Sequence, residues 1–169
     1  MDEIVTKVSE SGLLTIDLEE FYIPGERVLF DIRSWLFDEL ILKEKDFRDQ
    51  IKNHPWENYK DKLVAVTCTA DAIVPTWAFM LVASRLAPFA KRVLFGDLNK
   101  LEETLFHEQV AAMKAEDYKD QRVVIKGCSK KDVPVSAYVE LTAFLRPLVK
   151  SIMYGEPCST VPVYKRVEK

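Results

Sequence analysis

Three cysteines are the side chains of this sequence best suited to chemistry. Cys68, Cys128 and Cys158 each lie just after a short apolar run, and each is followed directly by serine or threonine. Thiolates are soft ligands that select zinc, copper(I) or iron–sulfur clusters. If the three thiols converge, they form a metal site in which Asp71, Glu156, water or a ligand from a partner could be the fourth ligand. The cofactors indicated are therefore zinc or an iron–sulfur cluster.

The cysteine spacing is equally compatible with roles that involve no metal. The chain has no CxxC pair of the kind that zinc ribbons and ferredoxins use, and free cysteine is often simply a small buried residue. In that case the protein is a non-catalytic interaction or small-ligand-binding module with structural cysteines. A reactive thiol without metal is a further alternative. A weaker hypothesis is an enzyme that uses Asp71, Asp97 and Glu156, with a raised pKa at one or more of these carboxyl groups.

Several common chemistries are disfavoured, and no catalytic residue is assigned. A cysteine nucleophile needs a base, usually histidine, but His54 precedes Pro55 in a turn and His107 lies within a predicted helix. Both are expected to be surface or structural residues. The five glycines form neither a GxGxxG nor a P-loop run, so a dinucleotide-binding oxidoreductase is not expected. Lys130 and Lys131 are interpreted as a solvated loop pair.

The cysteines follow the strands of a regular strand–helix alternation. Strands are predicted at 13–18, 27–32, 63–67, 92–95, 122–125 and 151–154, and helices at 43–53, 75–86, 98–114 and 134–146. Such alternation predicts an α/β fold, a three-layer sandwich with a mainly parallel sheet. Because the carboxyl ends of parallel strands meet at one edge, we expect the three thiols to share that edge.

Two stretches, about 63–97 and 122–156, form similar βαβ units. At a constant offset Pro75 matches Pro134, Phe79 matches Tyr138, and Gly96 matches Gly155. Internal duplication and packing rules common to all βαβ units both explain the similarity. Tryptophans and the matched aromatic residues are interpreted as core, namely Trp35, Trp56, Trp77, Phe79 and Tyr138.

Length and charge set the remaining bounds. The 169 residues suit one α/β domain, 1–169, in which the less regular segment 1–60 packs on the βαβ core. A net charge of −3 gives no electrostatic footprint for nucleic acid, and no apolar run is long enough to span a membrane. The acidic N-terminus lacks the form of a signal peptide. We therefore expect a cytoplasmic protein with reduced cysteines; its oligomeric state is unknown from sequence.

Five motifs carry a resemblance to a known family: CTADAIVPTWAFM, GCSKKDVPVSAYVELT, SIMYGEPCSTVP, GERVLFDI and LKEKDFR. They resemble the uncharacterised bacterial family filed as domain of unknown function 2480, found chiefly in Bacteroidetes, over nearly the whole chain. No activity is established for that family. Its genes, often beside the SUF iron–sulfur assembly genes, imply an accessory protein with iron–sulfur assembly proteins as partners.

The cysteine placement is also similar, in architecture only, to that in the cluster-holding subunits of hydrogenases and complex I. In those subunits strand-end loops supply cysteine ligands. Such a cluster usually has four cysteine ligands, whereas this chain has three cysteines.

Overall fold

The computed structural model describes residues 7–8, 12–127, 130–156 and 158–168. Its strands are β1 (Lys7–Val8), β2 (Leu13–Asp17), β3 (Arg27–Asp31), β4 (Leu63–Thr67), β5 (Arg92–Phe95), β6 (Arg122–Lys126), β7 (Ser151–Glu156) and β8 (Ser159–Lys165). Its α-helices are α1 (Glu44–Asn53), α2 (Thr76–Leu86), α3 (Leu98–Ala111) and α4 (Val135–Leu145). Short 3₁₀ segments lie at Leu18–Phe21, Ile32–Trp35, Trp56–Tyr59 and Ala115–Tyr118. No helix in these ranges combines the length and apolar character needed to cross a membrane.

The chain divides into two compact units. Unit 1 combines Met1–Ile23 with Glu103–Lys169, and unit 2 is Pro24–Glu102. Each unit contains its own sheet and its own apolar core. That residues 1–169 form a single domain stays a prediction.

Unit 2 has a three-stranded parallel sheet in the order β3-β4-β5. The central strand β4 is buried over Leu63–Val66, as expected for a strand covered on both faces. Its core cluster joins apolar side chains of the sheet, of α1 and α2 and of two 3₁₀ segments: Phe30, Ile32, Phe47, Ile51, Trp56, Val64, Val66, Ala78, Val82 and Leu86.

Unit 1 has a five-stranded sheet in the order β1-β2-β6-β7-β8. Its three central strands are parallel, and β1 and β8 pair antiparallel at the two edges. The core cluster includes side chains from α3 and α4, with Phe106, Leu141 and Leu145 among the buried ones. Strands β2 and β6 are neighbours although unit 2 lies between them in the sequence. Leu13 is in register with Arg122.

The predicted α/β class with mainly parallel strands is confirmed. The strands, however, form two sheets and not the single sheet that the sequence predicted. The sheet of unit 1 does not continue into β3, β4 or β5, because β1 and β8 occupy the outer sides of β2 and β7. The predicted strands before position 60 take part in these sheets, since β2 and β3 are parallel neighbours of β6 and β4.

The similarity between the two βαβ stretches extends over both units. Unit 2 runs strand, 3₁₀ segment, α-helix, 3₁₀ segment, strand, α-helix, strand, and unit 1 has the same order of elements between its additional strands β1 and β8. Each residue of α4 lies 59 positions after its counterpart in α2, since Thr76 and Val135 begin these helices and Leu86 and Leu145 end them. Unit 2 is inserted between the first strands of unit 1 and the remainder of unit 1.

Backbone contacts repeat at the same spacing. The amide of Asp61 donates to Phe89 at 3.0 Å, and the amide of Asp120 donates to Leu148 at 2.8 Å. Both aspartates adopt positive φ angles, 61° and 58°, a conformation that aspartate tolerates better than most residues. The turns that precede β4 and β6 are therefore built in the same way.

Candidate functional site

The thiol of Cys68 belongs to unit 2, directly after β4. It is half-buried and packs against the core cluster of that unit. Its counterpart in unit 1 is Gly127, directly after β6. A Cβ at Gly127 would come within 2.4 Å of the Tyr138 hydroxyl, whereas Phe79, the counterpart of Tyr138, has no hydroxyl. Position 68 therefore holds a side chain, whereas a side chain at position 127 requires the Tyr138 hydroxyl to shift.

A hydrogen-bonded clamp joins the ends of β3 and β4 beside Cys68. The amide of Thr69 donates to Asp31 at 3.1 Å, the Thr69 hydroxyl donates to the other carboxylate oxygen, and the amide of Arg33 donates at 3.0 Å. Burial acts to raise the pKa of Asp31, but the hydrogen bonds from Thr69 and Arg33 outweigh it and hold that pKa below its usual value. These partners fix the strand ends; the threonine after Cys68 is visible in the sequence, but its contact with Asp31 is not.

Cys158 belongs to unit 1, in the short connection between β7 and β8, and is exposed. Glu156 ends β7 and lies opposite Ser159. Its carboxylate lies 3.6 Å from the Lys126 ammonium, which is also 3.9 Å from Asp17. This region of the edge is a solvated group of opposite charges.

The third cysteine, Cys128, lies outside the described residues. Of the two described cysteines, Cys68 belongs to unit 2 and Cys158 to unit 1. In the portion of the chain that the structure describes, no three His, Cys, Asp or Glu side chains are grouped as metal ligands would be. The convergence of the three thiols, and with it the zinc or iron–sulfur hypothesis, stays a prediction.

The remaining predicted edge residues have solvent or local partners. Asp71 is exposed in the loop after β4. Asp97 accepts a hydrogen bond from the amide of Lys100 at 2.8 Å and so caps the first turn of α3. The amide groups of Lys130 and Lys131 both donate to the Glu19 carboxylate, so a side chain of the protein itself already holds the backbone at these two residues.

The two histidines also have identifiable surroundings. His54 lies in an aromatic cluster of unit 2, with its Nε2 atom 2.8 Å from the Tyr59 hydroxyl, and burial lowers its pKa below the usual value. His107 is exposed on α3, with its Nδ1 atom 2.9 Å from the Glu140 carboxylate. These are structural and surface positions of the kind expected.

An apolar groove lies between helix and sheet in each unit. Groove 1, in unit 1, has a volume of about 420 Å³ and is lined by Ile125, Val133, Val135, Tyr138, Thr142, Ile152, Met153, Tyr154 and Val163. Groove 2, in unit 2, has a volume of about 530 Å³ and is lined by Val66, Thr76, Phe79, Met80, Ala83, Val93, Leu94 and Phe95. Seven of the lining positions correspond at the spacing of 59 residues.

An edge-to-face aromatic pair forms one wall of each groove. In groove 1 the rings of Tyr138 and Tyr154 have centroids 5.8 Å apart, and in groove 2 those of Phe79 and Phe95 are 5.1 Å apart. The sequence indicated a match between Phe79 and Tyr138, but both were expected in the core. The sequence also matches Phe95 with Tyr154, and these residues lie on the corresponding strands β5 and β7.

The two grooves differ on one side. In groove 1 the strand β8 lies beside β7 and contributes Val163 to the lining. In groove 2 the counterpart strand β5 is at the edge of its sheet, and Phe95 is 65% exposed. Groove 1 is therefore closed by β8 on a side where groove 2 has no corresponding strand among the described residues.

Comparison with known proteins gives a family but no characterised relative. No curated protein and no solved structure matches the chain. A family model described as "Protein of unknown function (DUF2480)" matches residues 2–166, which is nearly the whole chain and confirms the resemblance of the motifs. The chain therefore belongs to the DUF2480 family of proteins of unknown function.

Proposed function

We propose that the protein is a non-catalytic binding module whose groove 1 takes a small, mainly apolar molecule that contains a ring. The observation that carries this proposal is the position of an apolar groove at corresponding residues of both units. A volume of about 420 Å³ lies in the range of roughly 300–1,000 Å³ that is usual for small-molecule sites.

The side chains of groove 1 favour an apolar ring. Val135 is 75% exposed and Val163 52% exposed at the groove, so a ligand that covers them removes apolar surface from water, at about 25 cal/mol for each Å². The rings of Tyr138 and Tyr154 provide an aromatic wall, against which another ring can pack edge to face or offset.

The lining of groove 1 supports binding without catalysis. Its residues are aliphatic or aromatic, apart from the thioether of Met153 and the hydroxyl groups of Thr142 and the two tyrosines. The Thr142 hydroxyl donates to the Tyr138 carbonyl one helical turn earlier, at 2.7 Å. No carboxylate, imidazole or thiol lines this groove among the described residues, so groups that usually perform acid–base or nucleophilic chemistry are missing from the lining.

Matched groove-filling variants test this proposal. The probe is 8-anilinonaphthalene-1-sulfonate, whose fluorescence reports an apolar site. Thr142→Phe fills groove 1, and Ala83→Phe places the same ring at the corresponding position of groove 2. We expect saturable binding that Thr142→Phe weakens by roughly tenfold or more, a cost of about 1.4 kcal/mol, and that Ala83→Phe leaves within about twofold.

Two results would contradict the proposal. One is a fluorescence titration of the unmodified protein that does not saturate. The other is a titration in which Thr142→Phe has no effect or Ala83→Phe has the larger effect. Thermal unfolding of both variants must be cooperative, so that a change in affinity is not a loss of folded protein.

The hypothesis of a metal or iron–sulfur accessory protein stays a prediction, as do its iron–sulfur assembly partners and the cytoplasm as compartment. Anaerobic purification followed by metal analysis and visible absorbance tests it. If Cys68, Cys128 and Cys158 bind one metal, replacing any one of them by serine should abolish metal binding by the protein. If the cysteines are structural, each replacement should instead lower the stability of the protein separately, by roughly additive amounts.

A further inference from the structure

We propose that two copies of this chain associate through β5 of unit 2, where the two β5 strands pair antiparallel. The starting observation is a difference between two otherwise corresponding sheets. In unit 1, β7 has β8 on its outer side, whereas β5 has β4 as its one neighbour among the described strands. This inference does not depend on the ligand proposed for groove 1.

The backbone of β5 presents hydrogen-bonding groups at this edge. The amide of Gly96 donates to the Val66 carbonyl of β4 at 3.0 Å. Because successive residues of a strand point their backbone groups to opposite sides, the groups of Val93 and Phe95 point away from β4. The Val93 carbonyl meets the Arg92 guanidinium at 2.6 Å, which a partner amide would replace.

Unit 1 shows how this position accepts a strand. Ile152 and Tyr154 of β7 correspond to Val93 and Phe95 at the spacing of 59 residues. They lie in register with Tyr164 and Val161 of the antiparallel strand β8. The fold therefore accommodates an antiparallel strand at the position that is an edge in unit 2.

The side chains at the β5 edge are apolar and exposed. Phe95 and Met80 are each 65% exposed, and both line groove 2. Contiguous apolar surface of this kind marks sites of protein association. An antiparallel strand beside β5 would place its own apolar side chains against Phe95 and close the open side of groove 2.

Charge complementarity identifies a second copy as the occupant. Pairing Val93 with Phe95 of the other copy joins the outward backbone groups, and this register brings Lys91, which precedes β5, to the same end of the interface as Asp97, which follows β5 of the other copy. Two-fold symmetry repeats this approach of opposite charges at the other end of the interface. Unit 2 contains twelve basic and twelve acidic residues, so its zero net charge does not oppose association.

Sedimentation velocity over a wide range of protein concentration tests the inference, with a matched pair of variants. Phe95→Asp places a charge at the proposed interface. Tyr154→Asp makes a similar change at the corresponding position of β7, where β8 already lies. We expect a dimer at high concentration whose dissociation constant Phe95→Asp raises by roughly 30-fold or more and Tyr154→Asp leaves unchanged.

Hydrogen exchange of the unmodified chain provides a measurement without substitutions. The amide groups of Val93 and Phe95 should exchange more slowly as the protein concentration rises. A single chain at every concentration, or a dimer that Phe95→Asp leaves intact, overturns the inference. Exchange at Val93 and Phe95 that does not depend on concentration overturns it as well.

Discussion

The contact between Gly127 and the Tyr138 hydroxyl determines which residue can follow β6. A Cβ at position 127 would lie 2.4 Å from that oxygen, closer than real side chains approach one another. Unit 2 has the complementary combination, with Cys68 at the corresponding position and Phe79 without the hydroxyl. Cys68 packs against the core cluster of unit 2, a role that needs no metal.

We predict that Gly127→Ala destabilises the protein by about 1–3 kcal/mol, the usual cost of overpacking. In a Tyr138→Phe background the hydroxyl is missing, so the same change should cost clearly less. Urea unfolding of the four proteins of this double-mutant cycle measures the coupling. Additive effects of the two substitutions would show that the hydroxyl does not limit position 127.

At the scale of elements, the end of α1 and the 3₁₀ segment Trp56–Tyr59 hold His54 among aromatic rings. The His54 ring lies 4.8 Å from Trp56, 5.2 Å from Trp35 and 5.4 Å from Phe30, measured between centroids. Burial in this cluster lowers the pKa of His54, because an apolar surrounding disfavours the charged imidazolium.

We predict that this histidine makes unit 2 less stable in mild acid. The unfolded chain takes up the proton near the ordinary histidine pKa of about 6.5, while folded His54 stays neutral to lower pH. The free energy of unfolding should therefore fall as the pH decreases through that range. His54→Gln should weaken this dependence, and His107→Gln serves as the control at an exposed position. Equal pH dependence in the unmodified protein and His54→Gln would contradict the prediction.

The secondary-structure elements were largely predictable because their signals are local. Continuous apolar runs such as Leu63–Thr67 indicate buried strands, and Pro134 favours the start of a helix at Val135. The division into two sheets was not predictable in this way. It depends on which strands pair over long distances in sequence, and β2 and β7 have similar apolar patterns whether their neighbours are parallel strands or the edge strands β1 and β8.

The candidate site was predictable only to a limited extent, for a related reason. Cysteines can be chosen as candidate ligands from their residue type alone. The packing around Cys68, however, depends on Phe79, which lies one element later in the chain. The lining of groove 1 consists mainly of valine, isoleucine and tyrosine, which in a sequence have the same pattern as core residues. Whether such a side chain is covered, as Ile152 is, or 75% exposed, as Val135 is, depends on the neighbouring elements.

At the scale of the whole molecule, the chain repeats one arrangement of elements twice and inserts one copy into the sequence of the other. Unit 1 needs segments from both sides of unit 2, because β2 pairs with β6 across the insertion. The two units then differ mainly at their outer strands: β1 and β8 flank the sheet of unit 1, and the sheet of unit 2 has β3 and β5 at its edges. This difference separates the proposed ligand groove from the proposed association surface.

The measurement that most directly tests the proposed binding role is a methyl NMR titration of the full chain with indole, a small apolar ring. We predict saturable chemical-shift changes at the methyl groups of Val135, Ile152 and Val163 in groove 1, with no change at Ile51 in the unit 2 core. A titration without saturable changes at these groove 1 methyl groups, or with changes confined to Met80 and Leu94 of groove 2, would contradict the account.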